Sequence, residues 1–171
     1  PGSDRLTAHA LNPYSNAHDE FPRQVRDLDA WVSGLPLPDA HPYRTIKAHP
    51  TGDTRPELWI LGSSDYGAQL AAHFGLPYAF AYFFADGQGV EQALDLYRTL
   101  YKPSERHPAP QATICVWALA ADSETEALHH ALSRERWRVD RLRGALGPLQ
   151  SPDEIAARGF SDEDMRTIDA T

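Results

Sequence analysis

The clearest pattern in the sequence is a short apolar run that leads directly into an amphipathic segment. Leu58–Leu61 is a continuous apolar run of the length expected for a strand buried on both faces. The spacing that follows predicts a helix over Asp65–Phe74, which Gly75 ends at the C′ position. Three small residues connect the two elements, so this segment predicts one complete β-α unit.

Two further units of the same kind follow. Apolar runs predict a second strand over Tyr78–Phe84 and a third over Ala112–Ala121. Apolar residues at helical spacing predict a helix after the second strand, beginning near Val90. The capping-box sequence Ser123–Glu126 predicts another, which extends to about Arg141. Apolar strands that alternate with helices at short spacing pair in parallel through right-handed crossovers, so we expect an α/β fold with a parallel sheet or barrel.

The segments on either side are less regular. Residues 1–55 are rich in Pro, His and Asp, with one helix predicted at about Pro22–Val32 and a short alternating strand over Tyr43–His49. After Arg143 the chain is irregular, except that Ser161–Thr171 resembles the beginning of a further helix. The predicted organisation is one domain in three parts, residues 1–55, 56–143 and 144–171.

Composition and charge restrict the possible functions. The 171 residues carry a net charge of -8, with 16 Lys and Arg against 24 Asp and Glu, and 42% of them are hydrophobic, as in a globular domain. Because a phosphate backbone requires clustered basic residues, this balance argues against nucleic-acid binding. A single cysteine, Cys115, cannot form an internal disulfide, and no apolar run reaches the roughly 18 residues of a membrane span. We therefore expect a cytoplasmic protein that binds neither nucleic acid nor membrane.

The connection between the first strand and its helix is the strongest candidate site. A strand that enters a helix through Gly62, Ser63 and Ser64 directs backbone N–H groups and the positive end of the helix dipole at the carboxyl edge of the sheet. Such a turn is typical of a site for the phosphate of a nucleotide-like cofactor. The alternative is an ordinary strand-to-helix turn in which a serine caps the helix.

Several segments match one known family. The matching residues are Leu58-Trp59-Ile60-Leu61-Gly62-Ser63-Ser64, Ala68-Gln69-Leu70-Ala71-Ala72, Gly75-Leu76-Pro77-Tyr78-Ala79-Phe80-Ala81, Pro1-Gly2-Ser3-Asp4, Tyr97-Arg98, Pro103-Ser104-Glu105 and Ala120-Ala121-Asp122. Together they resemble the luciferase-like flavin-dependent monooxygenases, most specifically over residues 56–84. The resemblance implies a (β/α)₈ TIM barrel in which the three predicted strands are strands 5 to 7. Because such a barrel takes about 250 residues, we expect this chain to be a partial barrel and a fragment of a longer protein.

The resemblance also implies a cofactor and a reaction. The whole protein is expected to use reduced FMN and O₂ to oxygenate a small organic substrate, with an NAD(P)H-dependent flavin reductase as partner, while a deazaflavin stays open as an alternative cofactor. The matching segment assigns the FMN phosphate to hydroxyls and backbone amides of Gly62, Ser63, Ser64, Tyr66 and Gly67. Ser64 is the residue on which this assignment depends most, because it can act as helix cap and as phosphate donor.

A substrate pocket is a second expectation. Tyr82, Phe83 and Phe84 come at the end of the predicted second strand, where a barrel pocket opens, so Tyr82 and Phe83 are candidates for lining the flavin or substrate cavity; the alternative is a place in the core or rim. No catalytic residue is assigned, because none here matches the histidine-bearing loop of the early barrel strands. We expect the isolated fragment to be inactive and marginally stable, since an unclosed sheet exposes edges and an apolar face. A homodimer is possible.

Two other classes of function compete with the monooxygenase. Gly62-Ser63-Ser64-Asp65-Tyr66 is one residue away from the nucleophile elbow of α/β-hydrolases, and Asp122 followed by His129 or His130 gives the Ser, Asp, His order. Against this, Tyr66 stands where the elbow needs a small residue. The other alternative is a non-catalytic binding or dimerisation module.

The remaining polar clusters favour structural interpretations. The eight histidines lack the spacing of a metal site, which predicts solvated side chains and no metal. Cys115 is predicted to be a small buried hydrophobic residue. A cluster of arginines on one helix is explained by ion pairing at least as well as by an anionic ligand; its members are Arg134, Arg136, Arg138, Arg141 and Arg143.

Overall fold

A computed structural model describes residues 5–11, 17–50 and 52–169 of the chain. The helices in this part are α1 (Arg5–Leu11), α2 (Ala17–Ser33), α3 (Asp65–Phe74), α4 (Tyr82–Ala85), α5 (Val90–Leu100), α6 (Glu124–Leu142), α7 (Pro152–Arg158) and α8 (Asp162–Asp169). The strands are β1 (Ile60–Gly62), β2 (Tyr78–Phe80) and β3 (Ala112–Ile114). The matching segment Pro1-Gly2-Ser3-Asp4 lies outside the described residues.

The three strands form one parallel sheet in the order β1-β2-β3. β1 pairs with β2 so that Ile60 lies opposite Tyr78 and Gly62 lies opposite Phe80. The Tyr78 N–H donates to the Gln111 carbonyl at 3.0 Å, which ties β2 to the segment that enters β3. The α/β class and the parallel sheet that the sequence predicts are therefore confirmed.

The chain divides into two compact units, which are described separately. The first unit comprises residues 1–80 and 89–113, and the second comprises residues 81–88 and 114–171. The first unit contains β1, α3, β2 and α5, and its core combines alanines and aromatic rings with aliphatic side chains such as Leu70 and Leu76. The second unit contains α4, α6, α7 and α8, and among its described residues only Ala81, Val139 and Ile155 are buried hydrophobic residues.

The core of the first unit forms where α3 packs on the sheet and on α5. Residues Ala68, Ala71 and Ala72 on α3 are fully buried, and their small side chains let α5 approach with its own buried Ala93. The Tyr97 ring of α5 is also fully buried. Its hydroxyl lies 3.0 Å from the Leu76 carbonyl and 3.1 Å from the Gln111 carbonyl, so it joins α5 to the segments before β2 and β3.

The corner between α3 and β2 is closed around Gly75. Gly75 has a left-handed φ of 61°, and its N–H and that of Leu76 satisfy carbonyls at the end of α3, as predicted from the sequence. A Cβ at this position would lie 2.5 Å from the Lys102 carbonyl oxygen. The Gly75 carbonyl in turn accepts bonds from the Ser104 hydroxyl at 3.0 Å and the Tyr101 hydroxyl at 3.3 Å. Helix α3 and the turn after α5 are thus fixed to each other by backbone contact.

The strands are shorter than predicted, and two of them are more exposed. β1 begins at Ile60 instead of Leu58, and Leu61 is 55% exposed, so the expectation of burial on both faces is wrong. β3 ends at Ile114, and all three of its residues are exposed; the rest of the predicted strand to Ala121 is irregular. A continuous apolar run does not show where a strand begins or ends, which explains these overextended predictions.

The second predicted strand also differs from the structure. It ends at Phe80, and the next four residues form the helical turn α4. The Phe84 N–H donates to the Ala81 carbonyl at 3.1 Å, and the Phe83 N–H donates to the Cys115 carbonyl at 3.2 Å. These bonds turn the backbone away from a strand ladder, so the prediction that Tyr82 and Phe83 lie at a strand end is wrong.

The flanking segments contain more helix and less strand than predicted. The helix predicted at Pro22–Val32 is confirmed and longer, as α2, whereas Tyr43–His49 forms turns instead of a strand. The segment predicted as an irregular tail contains α7, which begins at a capping box formed by Ser151 and Glu154. The helix expected near the end of the chain is confirmed as α8.

Candidate functional site

The turn from β1 into α3 presents two serine hydroxyls to solvent. Ser64 is the N-cap of α3, with extended φ and ψ of -144° and 168°, but its side chain makes no capping bond to the helix. Ser63 is also exposed, and neither hydroxyl has a hydrogen-bond partner in the part of the chain that the structure describes. Since the first N–H groups of a helix have no acceptor within it, this turn offers both hydroxyl and amide donors.

Two glycines form the base of this turn. A Cβ on Gly62 would lie 3.4 Å from the Gly67 Cα, and a Cβ on Gly67 would lie 3.4 Å from the Gly62 Cα and 3.5 Å from the Tyr78 ring. The end of β1 and the first turn of α3 therefore pack backbone against backbone. This close approach brings the amino end of α3 directly to the carboxyl end of β1.

Tyr78 of β2 supports the turn through its ring and its hydroxyl. Its ring is fully buried, and its hydroxyl donates to the Gly62 carbonyl at 3.2 Å. Burial, with a smaller contribution from the charge of Asp65, raises the pKa of Tyr78 to about 12. The phenol therefore stays protonated and remains a donor at neutral pH.

Asp65 adds a negative charge at the first helical position. Its carboxylate accepts a bond of 2.7 Å from the Gln92 side chain on α5. Tyr66, the next residue, is 43% exposed and lines a cleft of about 410 Å³ along α3 and the end of α5. The roles of Gln92 and Tyr78 were not predicted from the sequence. The available signal was Asp65 itself, because a carboxylate in the first turn of a helix needs a hydrogen-bond donor.

The predicted pocket residues lie in the second unit. Tyr82 and Phe83 begin α4, and the Tyr82 ring lies over Gly87, where a Cβ would be 2.5 Å from the ring. Phe83 contacts Trp117 edge to face, with ring centroids 6.1 Å apart, and Phe84 at 4.6 Å. Phe83, Phe84 and Trp117 thus form a partly exposed aromatic cluster, while the Tyr82 ring packs over Gly87.

Each arginine of the cluster on α6 and its C-cap makes a contact inside the second unit. Arg136 pairs with Asp140 at 2.6 Å and with Asp164 at 3.2 Å. Arg134 and Arg138 pair with Glu135 and Asp86, Arg143 pairs with Glu163 and Asp164, and Arg141 stacks on Phe84 and Trp137. The ion-pairing interpretation therefore agrees with the structure for four of the five arginines, and Arg141 is held by aromatic rings instead.

The residues of the serine-hydrolase alternative have other partners. His129 pairs with Asp153 at 2.9 Å, and His130 lies 3.8 Å from Glu126 on the same helix. Asp122 donates its own N–H to Glu126 instead of orienting a histidine. Nothing in the described residues or in the comparisons below supports a hydrolase or a non-catalytic module.

Two histidines and the cysteine differ from their predicted environments. The His41 side chain is buried against Asp27 at 3.2 Å, and His107 is only 3% exposed, so the prediction of solvated histidines is wrong for both. Cys115 is half-buried, which corrects the prediction of a buried hydrophobic residue. Among the described residues, no group of three or more His, Cys, Asp or Glu side chains could hold a metal ion.

A parallel sheet whose strands alternate with helices defines an α/β protein of the kind that builds barrels. The family model of the luciferase-like monooxygenases matches residues 20–170. The chain belongs to the luciferase-like monooxygenase family, and the resemblance stated from the sequence is confirmed.

Curated relatives agree with this family. The chain is 40% identical over 153 residues to a luciferase-like monooxygenase of Escherichia coli K12, covering 89% of this chain and 44% of that protein. It is 33% identical over 170 residues to the uncharacterized protein YceB of Bacillus subtilis, covering 99% and 51%. It is 30% identical over 144 residues to the N-acetyl-S-alkylcysteine monooxygenase of Bacillus subtilis, covering 81% and 41%. The chain thus spans about half the length of the curated relatives that it matches.

A solved structure of similar fold is the crystal structure of apo-MsnO8. It superposes with a TM-score of 0.72 at 27% identity, over 92% of this chain and 45% of that one. This similarity is consistent with a partial luciferase-like TIM barrel. None of the helices in the described residues is both long and apolar enough to span a membrane.

Proposed function

We propose that this chain contributes the FMN-phosphate site of a flavin-dependent monooxygenase that uses reduced FMN and O₂ on a small organic substrate. Membership of the luciferase-like family supports flavin-dependent oxidation chemistry. A relative that is named as an N-acetyl-S-alkylcysteine monooxygenase supports a small organic substrate. The observation that carries the proposal is the pair of unpartnered serine hydroxyls at the amino end of α3.

The residues of this turn fit a phosphate in three respects. The Ser63 and Ser64 hydroxyls are exposed and have no partner among the described residues, so phosphate oxygens can accept from both. Gly62 and Gly67 have no side chain, which lets the end of β1 and the first turn of α3 pack backbone against backbone and places the first N–H groups of the helix beside the end of the strand. The helix is ten residues long, and its dipole favours an anion at this end.

The Asp65 carboxylate is the feature that opposes an anion here. A second negative charge at the amino end of α3 weakens phosphate binding through like-charge repulsion. The 2.7 Å bond from Gln92 holds this carboxylate towards α5, and we assign Gln92 the role of keeping it there. Tyr66 and Gly67, the second and third helical residues, would contribute through their backbone.

The remaining roles follow from the same assignment. Bound flavin would supply the oxidation chemistry with O₂, and the protein would bind the phosphate and position the substrate. Tyr82 and Phe83 on α4 are proposed to line the substrate cavity, because the Tyr82 side chain is exposed and Phe83 belongs to a partly exposed ring cluster. We also propose an NAD(P)H-dependent flavin reductase as partner, a cytoplasmic location and the possibility of a homodimer.

The test compares FMN with riboflavin, which lacks the phosphate. Titrating each flavin into the protein and following the quenching of flavin fluorescence gives both dissociation constants. With Ser64→Ala we expect FMN to bind about tenfold more weakly, because one charge-assisted hydrogen bond is lost, while riboflavin binding stays unchanged. Ser63→Ala should act in the same direction.

Thr99→Ala is the matched control, because it removes an exposed hydroxyl from α5 in the same unit. It should leave both dissociation constants unchanged. Equal affinity of the wild-type protein for FMN and riboflavin would refute the phosphate assignment, and so would an equal loss of both ligands in Ser64→Ala.

A further inference from the structure

A second cleft in the first unit lies at the opposite end of the strands. It has a volume of about 550 Å³ and is bounded by the end of α2, by Arg55 and by the turn of residues 104–107. Phe74 and Leu76, which come just before β2, form part of its apolar lining. Because residues that precede parallel strands lie at the amino edge of a sheet, this cleft is separate from the turn that follows β1.

His107 lines the cleft and has a buried polar atom without a partner among the described residues. The His107 side chain is more than nine-tenths buried, and its Nε2 has no hydrogen-bond partner among the described residues. The other ring nitrogen, Nδ1, lies 3.9 Å from the Glu57 carboxylate. The backbone at His107 is fixed, since its carbonyl accepts from the Tyr101 hydroxyl at 2.7 Å and its N–H donates to the Ser104 hydroxyl at 3.1 Å. A buried ring nitrogen that lacks a partner costs free energy unless a ligand supplies one.

The charges that line the cleft favour a single negative charge on that ligand. Arg106 is already bound to α2, with one guanidinium nitrogen 3.4 Å from Asp29 and another 2.6 Å from the Ser33 hydroxyl. Arg55 is exposed, and no carboxylate of the described residues lies within ion-pair distance of it. Glu105 also lines the cleft, so a ligand with two or more charges would meet both its carboxylate and that of Asp29.

We propose that this cleft binds a small organic acid through one carboxylate, with the Arg55 guanidinium as its ion-pair partner and His107 Nε2 as a second hydrogen-bonding group. The planar guanidinium matches a carboxylate through two parallel bonds. The apolar floor of Phe74 and Leu76 accepts the hydrocarbon part of the acid. Nε2 is closed to solvent in this structure, so the bond to it requires a side chain that lines the cleft to move.

Butyrate is the probe that tests this site. We expect saturable shifts of the His107 ring signals in NMR spectra of the complete chain on addition of butyrate. The neutral isostere butyramide should bind at least tenfold more weakly, because it cannot pair with Arg55. Arg55→Gln should weaken butyrate binding at least tenfold, since this guanidinium has no structural partner to lose.

Two further variants separate this site from others. Arg98→Gln removes another exposed arginine of the first unit and should leave butyrate binding unchanged, as should Ser64→Ala at the proposed flavin site. Shifts that do not saturate, equal affinity for butyramide, or equal losses in Arg55→Gln and Arg98→Gln would each overturn the proposal. Tighter binding of inorganic phosphate than of butyrate would overturn the carboxylate assignment.

Discussion

Each of the two units is stabilised internally by a different kind of interaction. In the first unit, fully buried Tyr78, Phe80 and Tyr97 pack with alanines of α3, and the tyrosine hydroxyls bond to backbone carbonyls. In the second unit, the contacts of α6 with α7 and α8 centre on two apolar residues and on a network of ion pairs around Asp164. One unit thus depends on apolar burial, and the other on paired charges.

This difference decides which conditions each unit tolerates. Apolar burial at about 25 cal/mol per Å² does not depend on pH, whereas buried ion pairs are lost when one partner is neutralised or removed. The candidate phosphate site lies on the unit that is fixed by packing. We therefore expect the turn at Ser64 to keep its geometry under conditions that loosen α6 to α8.

The largest expected effect is in the first unit, at Tyr97. Tyr97→Ala removes a fully buried ring and its bonds to the Leu76 and Gln111 carbonyls, so we expect a loss of about 4 kcal/mol in the free energy of unfolding. Tyr97→Phe keeps the ring and should cost about 1 to 2 kcal/mol. Amide hydrogen exchange on α3 measures both. A loss in Tyr97→Ala that is no larger than in Tyr97→Phe would show that burial of the ring does not dominate this core.

A somewhat smaller effect is expected in the second unit, at Arg136. The side chains of Arg136 and Asp164 are 9% and 7% exposed, so Arg136→Ala leaves a nearly buried carboxylate without this partner. We expect a loss of about 3 kcal/mol, measured by hydrogen exchange on α6. Arg98→Ala is the control, because its exposed pair with Asp95 should contribute less than about 1 kcal/mol. Similar values for the two variants would contradict the distinction between the units.

The third expectation is that the first unit loses stability in base and the second unit loses stability in acid. The pKa of Tyr78 is raised by burial to about 12, so the first unit loses stability as pH rises from about 10 through 12, by about 2 kcal/mol. The pKa of Asp164 is lowered, chiefly because the Ser161 N–H donates to its carboxylate and also by the charges of Arg136 and Arg143. A lowered folded pKa means that its contribution is present above pH about 4 and is lost in acid.

Amide hydrogen exchange measured at several pH values distinguishes the alkaline loss of stability in the first unit from the acid loss in the second. Exchange on α3 should accelerate first in base and exchange on α6 first in acid. Tyr78→Phe should reduce the alkaline loss and leave the acid loss unchanged. A smaller alkaline loss should remain in this variant, because burial also raises the pKa of Tyr97 and Tyr101. If both units loosened together at each limit, the two sets of interactions would be coupled.

The smallest effect concerns the helix caps. The Ser151 hydroxyl accepts from the Glu154 N–H at 3.3 Å at the start of α7, whereas the Ser64 hydroxyl makes no such bond to α3. Ser151→Ala should therefore cost about 1 kcal/mol, and Ser64→Ala should cost a few tenths at most. Urea unfolding followed by circular dichroism measures both. An equal cost in Ser64→Ala would mean that this hydroxyl stabilises the helix and is less available to a ligand.

The order of the strands and helices in the β-α units could be predicted from the sequence, but the residues at which the strands end could not. Helix α3 was predicted at its observed bounds because the apolar spacing and the glycine at its end give the same limits. Phe84 and Trp117 were assigned to strands because an apolar run carries no sign of where the hydrogen-bond ladder ends. Helix α7 was missed although Ser151 and Glu154 have the spacing of a capping box, a local signal that is present in the sequence.

The candidate site was predictable where neighbours in sequence form it. Gly62, Ser63 and Ser64 follow one another, so their common turn is visible in the sequence. The support from Tyr78 and the partner Gln92 come from 16 and 27 residues away along the chain, and no local pattern connects them. His107 and Arg55 come together only through the path of the chain around α2 and the turn after α5.

The corner at Gly75 has a consequence for variation of this protein. A side chain there would meet the Lys102 carbonyl at 2.5 Å, and the left-handed backbone would disfavour it even in open space. In a library that contains every single substitution, selected for a folded first unit, this position should return glycine alone. Glycines such as Gly52, which has open space around it and no left-handed φ, should accept many side chains in the same experiment.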